Sequence, residues 1–513
     1  MEKTTNKTIA KNTMFLYLRM MLTMFISLYI SRVVLQVLGV DDYGLYNVVG
    51  GCVGMFVFLN DALSTGSSRF LVFELGTGNF EKLKKTFSTV LSMHIILSIL
   101  FAILAETIGL WFFYNKLVIP PERMDAAIWL YHLSIFTTVV SITQVPYDAS
   151  IISHERIKIF AYVSIVEVFL KLGIVFLLKF GNFDKLVFYA VLLCLVEIII
   201  RLYYRYYCLK NFKETHYEFI LDKKILKSIS GFSGWSLASN LSIALNTHGT
   251  VVITNMFFGP AVVAARSISV QVYAGAHRFV TNFRKAANPQ IIKKYAVGDF
   301  EGSKQLVLYS AKLSFYLMFF FGLPIILLAE PLLNLWLDEV PEYSVIFLQL
   351  IILKSLFGVF DTSFYTALSA KGQLRENAIL TPLAGAIQFL TIYLFFKNGF
   401  SPVSLSYIGI IFTAILGVVI KPILLCKIVK YSFRDIKSVF LPCLMVSIAA
   451  CPIPILLNCY LDSSLINIFV VCFVSALCTL TVIFYLGIDG HMRKTVICFA
   501  KGKFQDLLYR KVN

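Results

Sequence analysis

The chain has 513 residues, of which 58% are hydrophobic and 15% are charged, and its mean hydropathy is +0.78. A soluble protein of this length carries far more polar surface, so the composition excludes a soluble enzyme or a soluble binding domain. The formal net charge of +17 indicates loops that face anionic lipid rather than a nucleic-acid surface, because no basic stretch forms a folded soluble module.

Apolar segments long enough to cross a bilayer as helices, which takes about 20 residues, follow one another along the whole chain. We identify fourteen of them, at residues 13–38, 44–64, 86–114, 125–149, 157–178, 186–206, 228–257, 260–283, 305–329, 343–368, 377–396, 402–425, 438–457 and 463–486. The pattern predicts an all-α polytopic membrane protein with about fourteen transmembrane helices. Several segments merge across very short turns, as at Gly259-Pro260, so twelve helices are the alternative count.

The basic residues alternate between the two sides of this predicted topology. If the N-terminus is cytoplasmic, the inner loops hold most of the 46 lysines and arginines, and the outer loops hold only Lys116, Arg123, Lys179, Lys185 and Lys397. This distribution satisfies the positive-inside rule along the whole chain. Since omitting one helix would invert every later loop, we expect an even number of helices with both termini in the cytoplasm.

A faint internal repeat divides the chain. Gly39 and Gly78 are 39 residues apart, and so are Gly259 and Gly298, which follow 220 positions later. Around the second glycine of each pair the sequences read GNFEKLK and GDFEGSK, and four of these seven positions are identical. Many secondary transporters consist of duplicated sets of helices, so the repeat predicts a transport function.

The repeat and the longest inner loop predict the domain organisation. We expect an N-terminal lobe of six helices at 1–206, a cytoplasmic linker at 207–227 and a C-terminal lobe of six helices at 228–430. Two additional helices and a cytoplasmic tail follow at 431–513. The outer loops are short, so no extracytoplasmic domain is expected.

The sequence shows no catalytic apparatus. It contains no H-E-x-x-H, no G-x-S-x-G and no metal-ligand spacing among its seven histidines, and its ten cysteines form no C-x-x-C pair. The segment 298–304 is one residue short of a phosphate-binding loop and lacks the preceding strand. We therefore expect a secondary transporter rather than an enzyme or an ATPase, with no metal and no cofactor.

Basic residues within the apolar segments carry a cost. They are Arg19, Arg32, Arg69, Lys171, Arg201, Arg266, Arg278, Lys312, Lys354 and Lys421. A lysine or arginine at the centre of a bilayer costs roughly 2.5–3.5 kcal/mol, so most of them must face protein, water or an interface. Arg69, Arg278 and Lys421 lie near cytoplasmic helix ends, where snorkelling to the interface explains them.

Five of these bases are candidates for binding a substrate. They are Arg19, Arg32, Arg266, Lys312 and Lys354. Arg32 lies near the outer end of its helix, and the other four lie deeper. An arginine fork can hold phosphate oxygens bidentately, so the set suits an anionic headgroup that must cross the membrane. Ion pairing within the protein is the alternative interpretation.

Three embedded acids are candidates for ion coupling. Glu167 and Lys171 are four residues apart on helix five, as are Glu197 and Arg201 on helix six, and Asp361 is the third acid. The spacing places each acid beside its base on one helix face. Either these are self-neutralising pairs, or the carboxylates bind a coupling proton or cation. Weaker candidates, nearer to helix ends, are Asp61, Glu106 and Asp148.

Three turn motifs resemble a known family. Residues 38–44 (LGVDDYG) resemble the pattern L-G-x-x-x-Y-G, residues 63–70 (LSTGSSRF) resemble L-x-x-G-x-x-R, and residues 289–299 resemble P-x-I-x-x-x-Y-A-x-G-D. These patterns are typical of the polysaccharide (O-antigen or capsule) flippases of the multidrug/oligosaccharidyl-lipid/polysaccharide exporter superfamily. The resemblance extends over essentially the full length.

The resemblance implies a fold and a function. The fold would be MATE-like, with two pseudo-symmetric six-helix lobes plus two C-terminal helices. The protein would flip a lipid-linked oligosaccharide, carried on undecaprenyl diphosphate, across the bacterial inner membrane by alternating access, for surface polysaccharide or lipopolysaccharide biosynthesis. Its partners would be that lipid-linked oligosaccharide, membrane lipid, a polysaccharide polymerase and other assembly proteins, with H⁺ or Na⁺ as the candidate coupling ion and no nucleic acid.

Two other functions remain open at this point. A cation-coupled drug or metabolite antiporter of the same superfamily would share the fold, but a site for cationic drugs favours unpaired acids over a large set of bases. A membrane-embedded polysaccharide polymerase would need a substantial outer loop or an acidic catalytic motif at one face. Neither feature is evident in the sequence.

Overall fold

Backbone amides inside a bilayer have no water to bind, so a chain of this composition must satisfy them within helices. The computed structural model describes residues 2–156, 158–180, 183–462, 464–490 and 492–494. The chain is 88% helical, and no strand occurs in these described ranges. The prediction of an all-α protein is confirmed.

The helices follow one another with short connections. Numbered in chain order, they are α1 (Glu2–Gly54), α2 (Val57–Thr77), α3 (Phe80–Leu104), α4 (Leu110–Lys116), α5 (Met124–Ser153), α6 (Lys158–Leu177), α7 (Lys185–Asn211), α8 (Lys223–Ala244), α9 (Thr250–Ala296), α10 (Phe300–Leu327), α11 (Ala329–Trp336), α12 (Ser344–Lys371), α13 (Arg375–Lys397), α14 (Ser404–Ala414), α15 (Lys421–Leu424), α16 (Phe433–Ala450), α17 (Pro452–Tyr460) and α18 (Leu465–Val482). Wider π-helical turns lie at Ala105–Gly109, Leu245–Gly249, Ile415–Ile420, Leu425–Val429 and Ile483–Gly487.

Twelve spans in the described part of the chain are long and apolar enough to cross a membrane. They are Arg19–Gly54, Phe80–Lys116, Pro121–Ser153, Lys158–Leu177, Lys185–Asn211, Ser239–Ala296, Phe300–Leu327, Ser344–Lys371, Arg375–Lys397, Ser404–Val429, Phe433–Tyr460 and Leu465–Gly487. The first and the sixth each contain one non-helical residue, Gly39 and Gly259. Dividing these two spans at their glycines raises the count from twelve to the predicted fourteen. The second piece ends at Gly54, however, whereas the predicted second segment, 44–64, continues into α2.

The internal repeat, faint in sequence, is clear in the backbone. Gly39 has φ 79° and ψ 173°, and Gly259 has φ 78° and ψ −178°. These angles lie in a region that is accessible essentially to glycine alone. The order of buried and exposed residues is also the same over 41–50 and 261–270. The two copies therefore share one helix–bend–helix conformation.

The second half of α1 packs closely against the start of the second copy. A Cβ atom at Gly44 would overlap the carbonyl oxygen of Pro260, and one at Gly51 would lie 2.9 Å from Cγ1 of Val251. Small residues allow helix backbones to approach each other in a membrane, where packing replaces the hydrophobic driving force. The contact thus depends on the absence of side chains from one face of α1.

The connection between α7 and α8, predicted as a cytoplasmic linker, is attached to α3. The hydroxyl of Ser92 donates to the carbonyl oxygen of Ile220 at 3.0 Å, and Lys85 Nζ lies 2.7 Å from Asp222 Oδ2. The hydrogen bond from Lys85, with the amide groups of Ile225 and Lys224, lowers the pKa of Asp222 to about 2. The end of this connection is therefore bound to a neighbouring helix.

Two compact units can be distinguished. The first comprises the described parts of Met1–Gln271, Leu337–Ser344 and Ala378–Leu405. The second comprises those of Val272–Trp336, Val345–Asn377 and Ser406–Asn513. The core of the first unit includes Leu45, Val48, Phe101, Phe113 and Leu130, and a smaller cluster in the second includes Leu328, Ile468 and Val471. The lobes at 1–206 and 228–430 remain a prediction.

Replacing Gly44 by alanine should destabilise the protein. Its Cβ would overlap a backbone carbonyl that cannot move aside, and overpacking of this kind costs about 1–3 kcal/mol. Gly50→Ala is the matched control, because Gly50 lies in the same helix with no atom within 4 Å of the added carbon. The midpoint of thermal unfolding in detergent measures both, and an equal effect of the two substitutions would contradict the close contact.

Candidate functional site

Five charged side chains form a chain of ion pairs in the first unit, across α5, α6 and α7. Lys171 Nζ lies 2.6 Å from Glu167 Oε1 and 3.7 Å from Glu197 Oε1. The guanidinium of Arg201 lies 3.4 Å from Glu197 Oε2 and 3.8 Å from Asp148 Oδ2. Acids and bases therefore alternate from α6 through α7 to α5. We call these five residues the charged network.

The local geometry of the charged network follows from helical spacing. Lys171 and Arg201 each lie one turn after an acid on their own helix, so the two pairs within helices form directly. The link between α6 and α7 runs from Lys171 to Glu197, and the link to α5 runs from Arg201 to Asp148. Gln144 Nε2 also donates to Asp148 Oδ1 at 3.1 Å.

The charged network contains one more acid than bases. Three carboxylates face two bases, so the cluster carries a net charge of −1 when all five groups are ionised. The five side chains are only 25–32% exposed. An uncompensated charge in such a partly buried place is costly.

A small cavity adjoins the charged network. Its volume is about 150 Å³, and Lys171 and Glu197 line it together with Tyr46, Ser134 and Thr137. The ring of Tyr46 also packs against that of Tyr189, with a distance of 5.2 Å between centroids. The carboxylate of Glu197 and three hydroxyl groups thus line this space together with the ammonium group of Lys171 and apolar side chains.

The third predicted acid lies elsewhere. Asp361 belongs to the second unit, where its Oδ1 lies 2.9 Å from Nζ of Lys421. The side chain of Lys421 is only 2% exposed, and it also donates a hydrogen bond to Asn377. The prediction that Lys421 snorkels to the interface is therefore wrong. It is a buried base that pairs with an acid on α12.

Three of the five predicted substrate residues lie in the first unit. Arg19 and Arg266 are half-buried, and the described residues provide no ion pair or hydrogen bond to either guanidinium. Arg32 Nη2 donates to Asp338 Oδ1 at 2.9 Å, in a pair whose side chains are 40% and 48% exposed. An exposed pair of this kind contributes little stability, so Arg32 can exchange partners at low cost.

The other two predicted substrate residues lie in the second unit. Lys312 is buried, with Nζ 3.6 Å from Asp489 Oδ2 and 4.7 Å from the ring centre of Tyr309. Lys354 extends along α14, where a Cβ at Gly409 would lie 3.4 Å from its Nζ. The two units therefore divide the five candidates, and neither unit alone contains the whole set.

Arg32 and Arg266 lie at a similar depth on neighbouring helices. Gln271 Nε2 donates to the carbonyl oxygen of Ser27 at 3.1 Å and also bonds the hydroxyl of Ser31. Arg32 follows that contact on α1, and Arg266 precedes it on α9. Because each residue advances a helix by about 1.5 Å, both arginines lie within roughly 8 Å of the contact along their helix axes.

No family model matches the chain. It is 22% identical over 380 residues to the uncharacterized membrane protein EpsK of Bacillus subtilis (strain 168), in an alignment that covers 72% of this chain and 73% of EpsK. Among solved structures, an inward-facing multidrug resistance MATE family transporter of the MOP superfamily superposes with a TM-score of 0.66 and 16% identity, covering 79% of this chain and 96% of that one.

A second solved structure covers more of the chain. The lipid II flippase MurJ, in an inward closed conformation, superposes with a TM-score of 0.64 and 13% identity, covering 92% of this chain and 99% of MurJ. These similarities define the class: a multi-pass membrane protein with the fold of MATE transporters and MurJ. The prediction of a MATE-like fold is confirmed.

Lys171→Gln should destabilise the protein more than Lys171→Gln combined with Glu167→Gln. The single substitution leaves Glu167 without its base, whereas the double substitution removes both charges, and contacting pairs show coupling energies of about 0.5–3 kcal/mol. Thermal unfolding of the four species of the cycle measures this coupling. The exposed Lys179→Gln is the control for loss of a positive charge, and strictly additive effects would contradict the ion pair.

Proposed function

We propose that the chain flips a lipid-linked oligosaccharide, carried on undecaprenyl diphosphate, from the cytoplasmic to the outer leaflet of a bacterial inner membrane. The product would supply surface polysaccharide or lipopolysaccharide synthesis, with a polysaccharide polymerase and other assembly proteins as partners. The observation that carries the proposal is a half-buried arginine within the membrane region, Arg266, whose guanidinium has no partner among the described residues.

Charge complementarity supports an anionic cargo. Arg266 and Arg32 lie at similar depth on α9 and α1, and the partner of Arg32 is an exposed acid that a phosphate can replace. A diphosphate presents several oxygens to such forks, and hydrogen bonds between charged groups are among the strongest. We assign these two arginines to the headgroup of the cargo. Arg19, which lies about 20 Å before Arg32 along α1, would contact the headgroup at another stage of its passage. The prenyl tail stays in lipid.

The similar structures support the same class of function. MurJ is a lipid II flippase and the MATE protein is a multidrug resistance transporter, so the fold accommodates both lipid-linked and drug substrates. The similarity to MurJ extends over 92% of the chain, against 79% for the MATE protein. The greater coverage agrees with the flippase proposal and with the full-length extent of the sequence resemblance.

The charged network provides a means to couple transport to an ion gradient. Its net charge of −1 in the fully ionised state favours the binding of one proton or one Na⁺. Binding would weaken the hold of Glu197 on Lys171 and Arg201 and so loosen the junction of α6 and α7. Alternating access would then be reset by release of the ion on the other side.

A cation-coupled antiporter of drugs or metabolites is the second candidate. The acid excess of the charged network favours it, and so does the MATE fold. The lipid-linked glycans of a deletion strain distinguish the two functions. Deleting the gene in its host should cause an undecaprenyl-linked oligosaccharide to accumulate on the cytoplasmic side if the protein is a flippase. Unchanged glycans with altered tolerance to cationic drugs would favour the antiporter.

Arg266→Gln should impair flipping. Hydrogen bonds to charged groups contribute about 1.5–3 kcal/mol, so the variant should restore at least tenfold less surface polysaccharide to the deletion strain. Arg278→Gln is the matched control, because Arg278 is an exposed arginine on the same helix. Normal surface polysaccharide with Arg266→Gln, at equal protein abundance, would contradict the assignment of Arg266 to the headgroup.

Glu197→Gln should uncouple transport from the ion gradient. This acid contacts both bases of the charged network, so its neutralisation removes the excess negative charge that attracts the ion. Flipping by purified protein in vesicles should respond to an imposed pH or Na⁺ gradient in the native protein and lose that response in the variant. Glu122→Gln, an exposed acid outside the network, should keep it. A response that persists in Glu197→Gln would place coupling elsewhere.

A further inference from the structure

A second basic site lies in the second unit, between α10 and α16. It is a cavity of about 580 Å³ lined by Lys312, Arg434, Lys437 and Asp489 together with apolar side chains. Three bases therefore face one acid. The predicted topology places Arg434, Lys437 and Asp489 at the cytoplasmic ends of their helices. The cavity thus opens where the headgroups of the inner leaflet lie.

The innermost base of this cavity is held in position by two neighbours. The side chain of Lys312 is only 7% exposed, and Asp489, at 3.6 Å, is more than half exposed. Tyr309 donates a hydrogen bond to Asp489 at 2.9 Å and presents its ring to the ammonium group of Lys312. Since Asp489 is shared between Tyr309 and Lys312, it neutralises only part of the charge in the cavity.

The outer wall of the cavity is cationic and exposed. Arg434 and Lys437 lie in the first turns of α16, on one face three residues apart, and both are exposed. In the described part of the chain they have no ion pair within 4.0 Å, whereas Asp435 between them turns to Lys304 at 3.5 Å. The cavity therefore has a fixed deep base and two bases at its opening that are available to a ligand.

We propose that this cavity binds a phosphate group. One deep ammonium group and two exposed bases can surround a tetrahedral anion from three sides, and arginine supplies two donors to phosphate oxygens. Leu441 and Pro442 add an apolar wall beside the bases. A phosphate attached to an acyl chain satisfies both surfaces at once. The headgroup of an anionic phospholipid is one source of this chemistry, and free phosphate is the other.

This inference does not depend on the proposed function. Lys312 is placed here by its contacts within the second unit, with residues of α10 and of the segment after α18. These contacts lie partly outside the internal repeat, in the additional region 431–513. A phosphate site here would therefore exist whether the cargo is a lipid-linked oligosaccharide or a drug.

The test uses the full-length protein purified in a neutral detergent. Its thermal midpoint is measured during titration with a short-chain phosphatidylglycerol, with the matching phosphatidylcholine, and with inorganic phosphate. The variants are Lys312→Gln and the pair Arg434→Gln/Lys437→Gln. The control pair Lys223→Gln/Lys224→Gln removes two exposed cytoplasmic charges outside the cavity. Because Arg434 and Lys437 are exposed, their replacement does not disturb the core, and the test holds even if Lys312→Gln fails to fold.

Phosphatidylglycerol should raise the midpoint of the native protein and of the control pair. The concentration of phosphatidylglycerol that gives half of the maximal rise in the thermal midpoint should be at least about fivefold higher in Arg434→Gln/Lys437→Gln than in the native protein, since each base near an anionic headgroup contributes measurably to binding. An equal effect of inorganic phosphate would identify free phosphate as the source, and no effect of it would identify the lipid. An identical response of the cavity pair and the control pair, or an equal response to phosphatidylcholine, would overturn the proposal.

Discussion

The structure as a whole depends on the free-energy cost of placing charged side chains in the hydrocarbon core of a membrane. A base near the bilayer centre costs roughly 2.5–3.5 kcal/mol, and the chain places several there. The structure compensates most of that cost by contacts between helices. Lys171 and Arg201 share three acids across α5, α6 and α7, and Lys421 is enclosed with Asp361 and Asn377. The embedded charges thereby connect neighbouring helices through ion pairs. Against that background, a guanidinium that the described residues leave unpaired, that of Arg266, becomes the most informative side chain for function.

The internal repeat extends to these ion pairs between helices. Arg201 and Lys421 are 220 positions apart, the same offset as that of the glycine pairs. Each base forms an ion pair with an aspartate on the corresponding helix of its own copy, Asp148 on α5 and Asp361 on α12. The aspartates themselves are not at equivalent positions. The position on α12 that corresponds to Asp148 is 368, and Asp361 lies seven residues before it, about two helical turns away on the same face of the helix. The two bases therefore occupy equivalent positions in the repeat, whereas their acids occupy different ones.

The sequence was sufficient for the helices and for interactions along one helix. Apolar length alone predicted every span, and the four-residue spacing predicted the pairs of Glu167 with Lys171 and of Glu197 with Arg201, both of which form. Contacts between helices were not predictable, because the depth of a residue in its own helix says nothing about which face meets a neighbour. Lys421 illustrates this point: it lies near a helix end, yet neighbouring helices cover it almost completely. Asp148, a weaker candidate by the same depth argument, closes the charged network on α5.

The contact of Gly44 with Pro260 bears on why the two halves occupy one chain. In a symmetric pair of identical subunits, any residue suited to one side of such a contact would also occupy the equivalent place on the other side. Here the equivalents of Gly44 and Pro260 are Ala264 and Val40, so the glycine–proline approach occurs once. Because both copies lie in one chain, equivalent positions can carry different residues, which identical subunits do not allow. The charged side chains differ between the halves as well: the first unit holds the charged network, and the second holds the pairs of Lys421 with Asp361 and of Lys312 with Asp489.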